Sequence, residues 1–585
     1  LEFDQLNNAT SLRLFTQVKL RCCEKAWAGP PDGFAAGRPA RQNGRVIAPI
    51  VVCASVGRFM SIPRRYRPAL LAAIAALALY AITLKGTYIE DDVIAIREDP
   101  RLYEPGQWRR LLREEYWYQG SVDHLYRPLV SLSYALQWHL TGDNPLPFHA
   151  VNWLLNAAVA AMVAEMARRL AGPASSDGPA YLAGVLFGVH PIHVEAVAGI
   201  VGRAEMMCAL GILGTIILLL RPRPITVGRA LAVVVCLAFA IFSKEQGMLL
   251  PLLLLLLPLS LGIDRPMNER ERRAVMWLVV LVCWFTAAYV VWREWKFKFE
   301  WEIYFMDFSE QPMVRCSPFD RLLMPFVLLG HYAQLLVFPI HLSIDYGGRV
   351  IGWVVRRNDP YLYAGVAVAC GYIATVGALI VRGPRLSRTS RSILFCLLAA
   401  GALYGMVGNI VSLIGTNFGE RLMYLPSMFL CVAAGFALMR LPRKVMLVFA
   451  TIAIGLGSVR TVTYAREWNH RLRFYEISSQ RQPMSVRLHM LVAVESLGRD
   501  RLAEAAAADR AGRQSLPDYA DVWIQSAQIA IAEHQFDEAD RDLDEAMSLF
   551  PSPKVLGWRA EVAKARLAWK AGTSTKPGTQ PTSLK

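Results

Sequence analysis

Apolar runs long enough to cross a bilayer recur along this chain, and no other feature restricts its fold as strongly. Backbone in lipid must satisfy its own N–H and C=O groups, so a spanning run of about 17–25 apolar residues is a helix. Such runs lie near 68–85, 150–170, 180–199, 204–220, 230–244, 246–263, 274–293, 361–381, 392–412, 422–439 and 445–460, with 321–341 a further candidate. That makes about 11–13 spans. Hydrophobic residues form 54% of the 585, above the roughly 45–50% of soluble domains. The expected fold class is all-α: a polytopic helical membrane domain followed by a short helical domain.

The net charge of +16 is largely arginine. In a membrane protein such an excess points to cytoplasmic loops and anionic membrane lipid. No nucleic-acid motif accompanies it, so nucleic acid is not an expected partner. The ten cysteines are scattered without metal-ligand spacing. Cys208, Cys236, Cys283, Cys370, Cys396 and Cys431 lie in or beside apolar runs and read as small buried hydrophobes.

Residues 1–59 differ in character from the rest of the chain, being rich in Gly, Pro and Arg. Met60 opens a short basic head before the first apolar run, the usual start of a membrane protein. Residues 1–59 are therefore expected to be a non-native or disordered extension, and 60–465 the membrane domain. Arginine clusters at 64–67, 168–169, 221–229, 265–273, 382–391 and 440–443, with Lys444, all belong in the cytoplasm by the positive-inside rule. The alternation holds if 321–360 crosses an even number of times, re-enters or lies along the interface.

This orientation sends every charged border motif to the other face. Glu90-Asp91-Asp92, His190-Pro191-Ile192-His193-Val194-Glu195, Gly202-Arg203-Ala204-Glu205, Ser243-Lys244-Glu245, Ser343-Ile344-Asp345 and Glu420-Arg421 all fall outside. Three adjacent carboxylates repel one another at a membrane surface, where charge is costly. They make sense beside a metal ion, a cation or a hydroxyl that must lose a proton. An outward polar cavity, roofed by the 86–149 loop, is the expected site. That loop and the second outer loop, 294–320, carry interfacial aromatics such as Trp108, Trp117, Trp295, Trp301, Tyr304 and Phe305. These read as belt residues, with a lipid-carrier groove as the alternative.

After Arg460 the composition shifts to Ala, Glu, Asp and Arg. Pro483, Pro517 and Pro551 are spaced 34 residues apart, the tetratricopeptide period. With Pro551 as the terminal proline of a repeat, Trp523, Ala527, Ala539, Leu543 and Ala546 fall at its packing positions. Residues 466–572 are thus expected to be a short tetratricopeptide-repeat domain docked on the membrane domain, and 573–585 a disordered tail.

Taken together, these motifs resemble the transmembrane and tetratricopeptide-repeat protein O-mannosyltransferases, within the C-type (GT-C) membrane glycosyltransferase superfamily. The resemblance rests on Glu90-Asp91-Asp92, Tyr126-Arg127-Pro128, Phe148-His149-x-Val151-Asn152, His190-Pro191-Ile192-His193-x-Glu195-Ala196-Val197 and Gly202-Arg203-Ala204-Glu205. It continues through Ser243-Lys244-Glu245, Leu342-Ser343-Ile344-Asp345-Tyr346, Glu420-Arg421-x-x-Tyr424-Leu425-Pro426 and Trp468. The chain departs from it at Ser309-Glu310-Gln311-Pro312, where an Asp-Asn pair is expected, and in its short repeat array. The resemblance implies transfer of a sugar, mannose, from a polyprenyl-phosphate carrier to a hydroxyl of protein Ser/Thr on the outer membrane face. The Ala and Arg richness suggests a bacterial inner membrane with the site in the periplasm; in a eukaryote it would be the endoplasmic reticulum lumen.

Such a transfer needs a carboxylate to take the hydroxyl proton and cations to stabilise the leaving phosphate. Asp91 is the first candidate base and Asp92 the second, since adjacent residues on an extended turn point apart. Glu90 would orient a partner or bind metal. Arg421, Lys244 and Arg203 are the donor-phosphate candidates, Arg offering a fork and Lys a point charge. His190, His193, Glu195, Glu205, Glu245, Asp345 and Arg127 are candidates for substrate or metal. A divalent metal is a candidate cofactor, the histidines sharing a face at i, i+3. Simple pairing of Lys244 with Glu245 and of Arg421 with Glu420 is the structural alternative. The competing functions are the same chemistry on a lipid or cell-surface polysaccharide, a non-catalytic scaffold whose repeats gather a polypeptide partner, and a transporter. A transporter would carry its charges at mid-membrane.

Overall fold

The computed structural model describes residues 62–118, 124–173, 175–221, 225–261, 269–297 and 307–572. The expected extension 1–59 and tail 573–585 lie outside the described residues, as do Trp301, Tyr304 and Phe305. Every regular element among the described residues is helical.

Eight described helices are long and apolar enough to cross a membrane: Arg64–Lys85, Pro145–Ala171, Ile200–Leu219, Arg272–Phe297, Pro360–Arg382, Arg388–Val407, Glu420–Leu438 and Arg443–Glu467. A ninth candidate is the pair Gly178–Val189 and Pro191–Ala198, bent by 51°. Pro191 explains the bend, since it has no N–H to offer the preceding turn. The chain is a multi-pass integral membrane protein, with fewer full-length candidates than the 11–13 expected. The runs 230–244 and 246–263 form the shorter apolar helices Val227–Ile241 and Glu245–Leu256. The chain turns between them at Ser243-Lys244, and the Lys244 ammonium is buried there with a carboxylate partner. The run 321–341 becomes the helix Pro318–Val337, with Pro325 inside it, and the loop 338–359 follows it.

Small residues let the first helices interlock. A Cβ on Gly184 would lie 2.6 Å from that of Ala164 and 2.7 Å from that of Ala72, so the Gly178–Val189 helix packs backbone-close between its neighbours. At one end of the bundle arginines bond helix-end carbonyls. Arg388 Nε donates to Leu170 O (2.9 Å), Arg169 Nη1 to Ile217 O (3.0 Å) and Arg229 Nη2 to Leu219 O (3.1 Å). Cys208, Cys396 and Cys431 are buried, whereas Cys283 and Cys370 lie on outward helix faces. A thiol is apolar enough for such a surface.

Beyond the last apolar helix and a short helix, Arg471–Arg481, come two helical hairpins. Val486–Leu497 pairs with Leu502–Ser515, Ala520–Ala532 pairs with Phe536–Leu549, and Pro553–Lys570 closes the array. Ala527, Ala539, Leu543 and Ala546 are fully buried where the second hairpin closes. The first hairpin and the start of the second are seated on the loops that carry Phe308 and Trp353. Val486, Met490, Leu516 and Val522 pack with Phe308 and Trp353. Around that apolar contact, the Tyr519 hydroxyl donates to Asp307 Oδ2 (2.6 Å) and Arg315 pairs with Asp518 (2.5 Å).

Candidate active site

The acidic triplet follows the first membrane helix by one tight turn. Glu90 has φ +49°, a left-handed conformation uncommon for a side-chain-bearing residue and often held at functional sites. The kink lets the three carboxylates diverge. Glu90 turns to Arg487 (Oε1 to Nη2, 2.5 Å). Asp91 turns to Arg421, whose Nη1 donates to Oδ2 at 2.9 Å. Asp92 turns inward and is fully buried. Its oxygens accept the N–H groups of Val201 (2.9 Å) and Ile89 (3.3 Å). Burial pushes the Asp92 carboxyl up to about 7, against the pull of these hydrogen bonds. Burial also raises the Glu90 carboxyl, with the Arg487 guanidinium opposing it, and raises that of Asp345.

These groups line a cavity of ≈ 440 Å³, within the size range of small-molecule sites. Its walls also carry Arg127, Glu195, Glu205, Lys244, Glu245, Asp345 and Arg421. Border motifs far apart in sequence thus meet in one place. Arg421 is clasped from two sides. Its Nε lies 3.3 Å from Glu195 Oε1, and its backbone N–H donates to Glu195 Oε2 at 2.8 Å. Lys244 pairs with Glu205, and Arg127 holds Glu245 through Nε (3.2 Å) and Nη2 (2.8 Å).

The pairings between sequence neighbours are therefore replaced by cross-chain ones. Lys244 takes Glu205, leaving Glu245 to Arg127, and Arg421 takes Asp91 and Glu195. Glu420 points the other way. It is fully buried and accepts from the Ser343 N–H and the Tyr346 hydroxyl, both at 2.7 Å. In that role it anchors the loop that carries Asp345.

Three expected site residues do not line the cavity. Arg203 is buried among structural acceptors, donating to Asn152 Oδ1 (3.0 Å), Ser133 Oγ (3.0 Å) and the Phe148 carbonyl (3.1 Å). Both nitrogens of each histidine are engaged elsewhere. His190 bonds Leu336 O (3.0 Å) and the Ile192 N–H (3.2 Å). His193 bonds Phe187 O (3.0 Å) and Ser427 Oγ (2.8 Å). Pro191 starts a fresh turn between them, so the pair bonds backbone and a hydroxyl rather than sharing a ligating face. No group of three or more His, Cys, Asp or Glu among the described residues is placed to hold a metal ion. The carboxylates around the cavity are directed at cations, a hydroxyl or backbone N–H groups.

Four charged wall residues are not among the expected site residues: Arg293, Glu294, Glu310 and Arg487. Glu310 stood only as a departure from an expected Asp-Asn pair. Arg487 lies in the first turn of the Val486–Leu497 helix, beyond the last apolar helix, Arg443–Glu467. The one local sign was a cation at a helix start, where the helix dipole disfavours it.

No protein-family model matches the chain. It is 24% identical to Protein O-mannosyl-transferase F38B6.6 of Caenorhabditis elegans, over 70% of this chain and 57% of that protein. It is 23% identical to Protein O-mannosyl-transferase TMTC3 of Mus musculus, over 85% of this chain and 61% of that protein. A shorter match reaches 39% with mouse Protein O-mannosyl-transferase TMTC1, over 24% of this chain and 15% of that protein. Among solved structures, ArnT from Cupriavidus metallidurans bound to undecaprenyl phosphate aligns with a TM-score of 0.36 and 14% identity, covering 78% of this chain and 80% of that one. The chain thus spans little more than half the length of the relatives it matches most broadly, and those relatives carry the same family name that its motifs resemble, the protein O-mannosyl-transferases.

Proposed function

We propose that this chain is a membrane glycosyltransferase of the C-type (GT-C) class, moving mannose from a polyprenyl-phosphate carrier to a Ser/Thr hydroxyl of a protein. The transfer takes place on the membrane face away from the arginine-bonded helix ends. The observation that carries the reading is the pairing of Asp91 with Arg421 in the wall of a polar cavity. The names of the relatives agree with it.

The chemistry follows from that pair. The acceptor hydroxyl attacks the anomeric carbon, and the bond from that carbon to the phosphate oxygen breaks. The bonding electrons leave with the phosphate, and the hydroxyl proton passes to a carboxylate. Arg421 is the group that meets the phosphate, because its planar fork matches two phosphate oxygens. A phosphate entering there competes with Asp91 for the guanidinium. Asp91 is thereby released from its cation when donor binds, and a carboxylate without its ion partner is a stronger base. Lys244, held by Glu205, is the second cation near the leaving group. Asp92 is committed to two backbone N–H groups and keeps the turn in shape. The two hairpins are read as tetratricopeptide repeats that bring a polypeptide to the cavity.

The test is transfer by purified protein in detergent with lipid. Polyprenyl-phosphate mannose labelled in the sugar is offered with a Ser/Thr-rich peptide or a membrane extract, to wild type and to Asp91→Asn. Label on the peptide with wild type only is expected. Label on the extract alone moves the acceptor to lipid or polysaccharide. Equal transfer by both proteins removes Asp91 as the base.

A further inference from the structure

The acidic turn is held from a direction the transfer chemistry does not use. Arg487 Nη2 meets Glu90 at 2.5 Å and lies 4.0 Å from Asp91, while its Nη1 meets Glu310 at 2.6 Å. One guanidinium therefore ties the first outer loop to the second, and it comes from the first helical hairpin after the membrane domain. Tyr475 adds a second hold, its hydroxyl oxygen accepting the Glu90 N–H at 3.0 Å. The Ser485 hydroxyl reaches the same region, donating to Asp345 Oδ2 at 2.6 Å.

We propose that Arg487 is a positioning residue of the transfer site, holding Glu90 and Glu310 so that the turn presents Asp91 to Arg421. For what the site does, this rests on the function proposed above; for how the turn is held, it does not.

Three observations carry it. First, Arg487 occupies the first turn of its helix, which has no acidic residue there. Helix N–H groups at that end repel a cation, so the position is a poor one for arginine unless outside carboxylates hold it. Second, Glu90 at φ +49° is strained, and such a conformation persists where surrounding structure over-determines it. The Arg487 and Tyr475 contacts supply that constraint on both the side chain and the backbone of Glu90. Third, a planar fork can bond two carboxylates from different loops at once, which a lysine point charge cannot do with the same geometry. Without Arg487, the Glu90 carboxylate is left nearly buried beside Asp91 with its cation gone, and the turn relieves this by moving. The C-terminal helices are then part of the site rather than a detachable adaptor.

The test uses the full chain in detergent with lipid and compares wild type with Arg487→Ala, Arg487→Lys and the double variant Arg487→Ala/Glu90→Gln. Two readouts are taken: amide hydrogen exchange at residues 89–93, and kcat with donor KM. In Arg487→Ala, exchange at 89–93 is expected to quicken about tenfold. Its kcat should fall about 10²-fold with little change in donor KM, the signature of a misplaced group. Arg487→Lys should fall between. Neutralising Glu90 in the double variant removes the unpaired charge and should return part of both the protection and the kcat. Unchanged exchange in Arg487→Ala, or a double variant no better than the single, overturns the proposal. Should Arg487→Ala loosen the whole chain, Arg487→Lys decides, since it keeps the charge and loses only the planar fork. Faster exchange at 89–93 than in wild type supports the proposal, and wild-type exchange there overturns it. If wild type transfers no sugar from any carrier, the functional reading fails and the exchange data alone settle how the turn is held.

Discussion

The two ends of the helical bundle are both rich in charge, yet the charges meet different partners. At one end Arg169, Arg229 and Arg388 donate to carbonyls that close neighbouring helices. These bonds cap helices and favour the dipole. At the other end Arg127, Lys244, Arg421 and Arg487 face carboxylates around a cavity. An anion can displace a carboxylate from a guanidinium, whereas it gains little by displacing a helix-end carbonyl that then lies unbonded. The lesson is that a border arginine is sorted by what it touches. Composition and position, which drive the positive-inside rule, do not separate the two kinds.

The comparison breaks first if the cavity end tolerates neutralisation. Asp91→Asn keeps the shape and leaves Arg421 bonded to Glu195, so the protein should fold and insert. Loss of the base should lower kcat by about 10³-fold, measured as label transfer at saturating donor. A rate within a few-fold of wild type would make the cavity pairs as structural as those at the opposite end. Arg421→Ala comes next. Losing one preorganised phosphate contact should cost about 10²-fold in kcat/KM for the donor, with acceptor KM little changed. An equal loss for donor and acceptor would mean that Arg421 only shapes the wall.

How much of this could be read beforehand depended on how local each signal was. The membrane helices were legible because hydropathy is a property of a run. The full-length candidates fall short of the expected number mainly at Lys244, where one charge divides two apolar runs into shorter helices. The convergence of the acidic triplet, Lys244, Asp345 and Arg421 followed from counting crossings, which needs no side-chain detail. The partners did not follow. Lys244 and Glu245 are adjacent, yet each bonds across the chain, because neighbours on a turn point apart. His190 and His193 have ligand spacing, but Pro191 redirects the backbone so that their nitrogens meet carbonyls, an amide and a hydroxyl. Arg203 lies two residues from Glu205, a wall residue, yet is absorbed by Asn152, Ser133 and Phe148. Arg487 was out of reach, since hydropathy and a 34-residue proline period say nothing about which side chain of the C-terminal helices faces the cavity.

Asp92 gives a smaller effect that sharpens the contrast within the triplet itself. Its carboxyl is raised by burial to about 7, above the usual unfolded value near 3.9. The folded state therefore binds the extra proton between roughly pH 4 and 7. Stability linked to Asp92 is fully present below the unfolded value and is lost as pH rises through the folded one. Asp92→Asn cannot titrate, so the thermal midpoint of wild type minus that of the variant should shrink by a few degrees between pH 5 and pH 8. A difference that stays flat or grows would show that Asp92 remains charged throughout, and would return it to the list of candidate bases.

The smallest effect is expected at the opposite end. Arg388 donates through Nε to Leu170 O at 2.9 Å and through Nη2 to Arg169 O at 3.3 Å, and it has no place in the cavity wall. Arg388→Gln removes the charge but keeps an amide donor for one carbonyl. The cost is then part of one charged hydrogen bond, about 1–2 kcal/mol, felt as a small drop in thermal midpoint. Sugar transfer should stay within about twofold of wild type, because neither the Asp91–Arg421 pair nor the turn that carries Asp91 depends on that carbonyl cap. A tenfold loss of kcat without unfolding would mean that the two ends are mechanically linked through the Pro145–Ala171 helix. That helix ends at the Arg388 contact and begins beside the acidic turn, where Phe148 packs on Tyr88 with ring centroids 6.1 Å apart. The division of labour between the two ends would then be one of degree, and the arginine-bonded end would belong to the working part of the molecule.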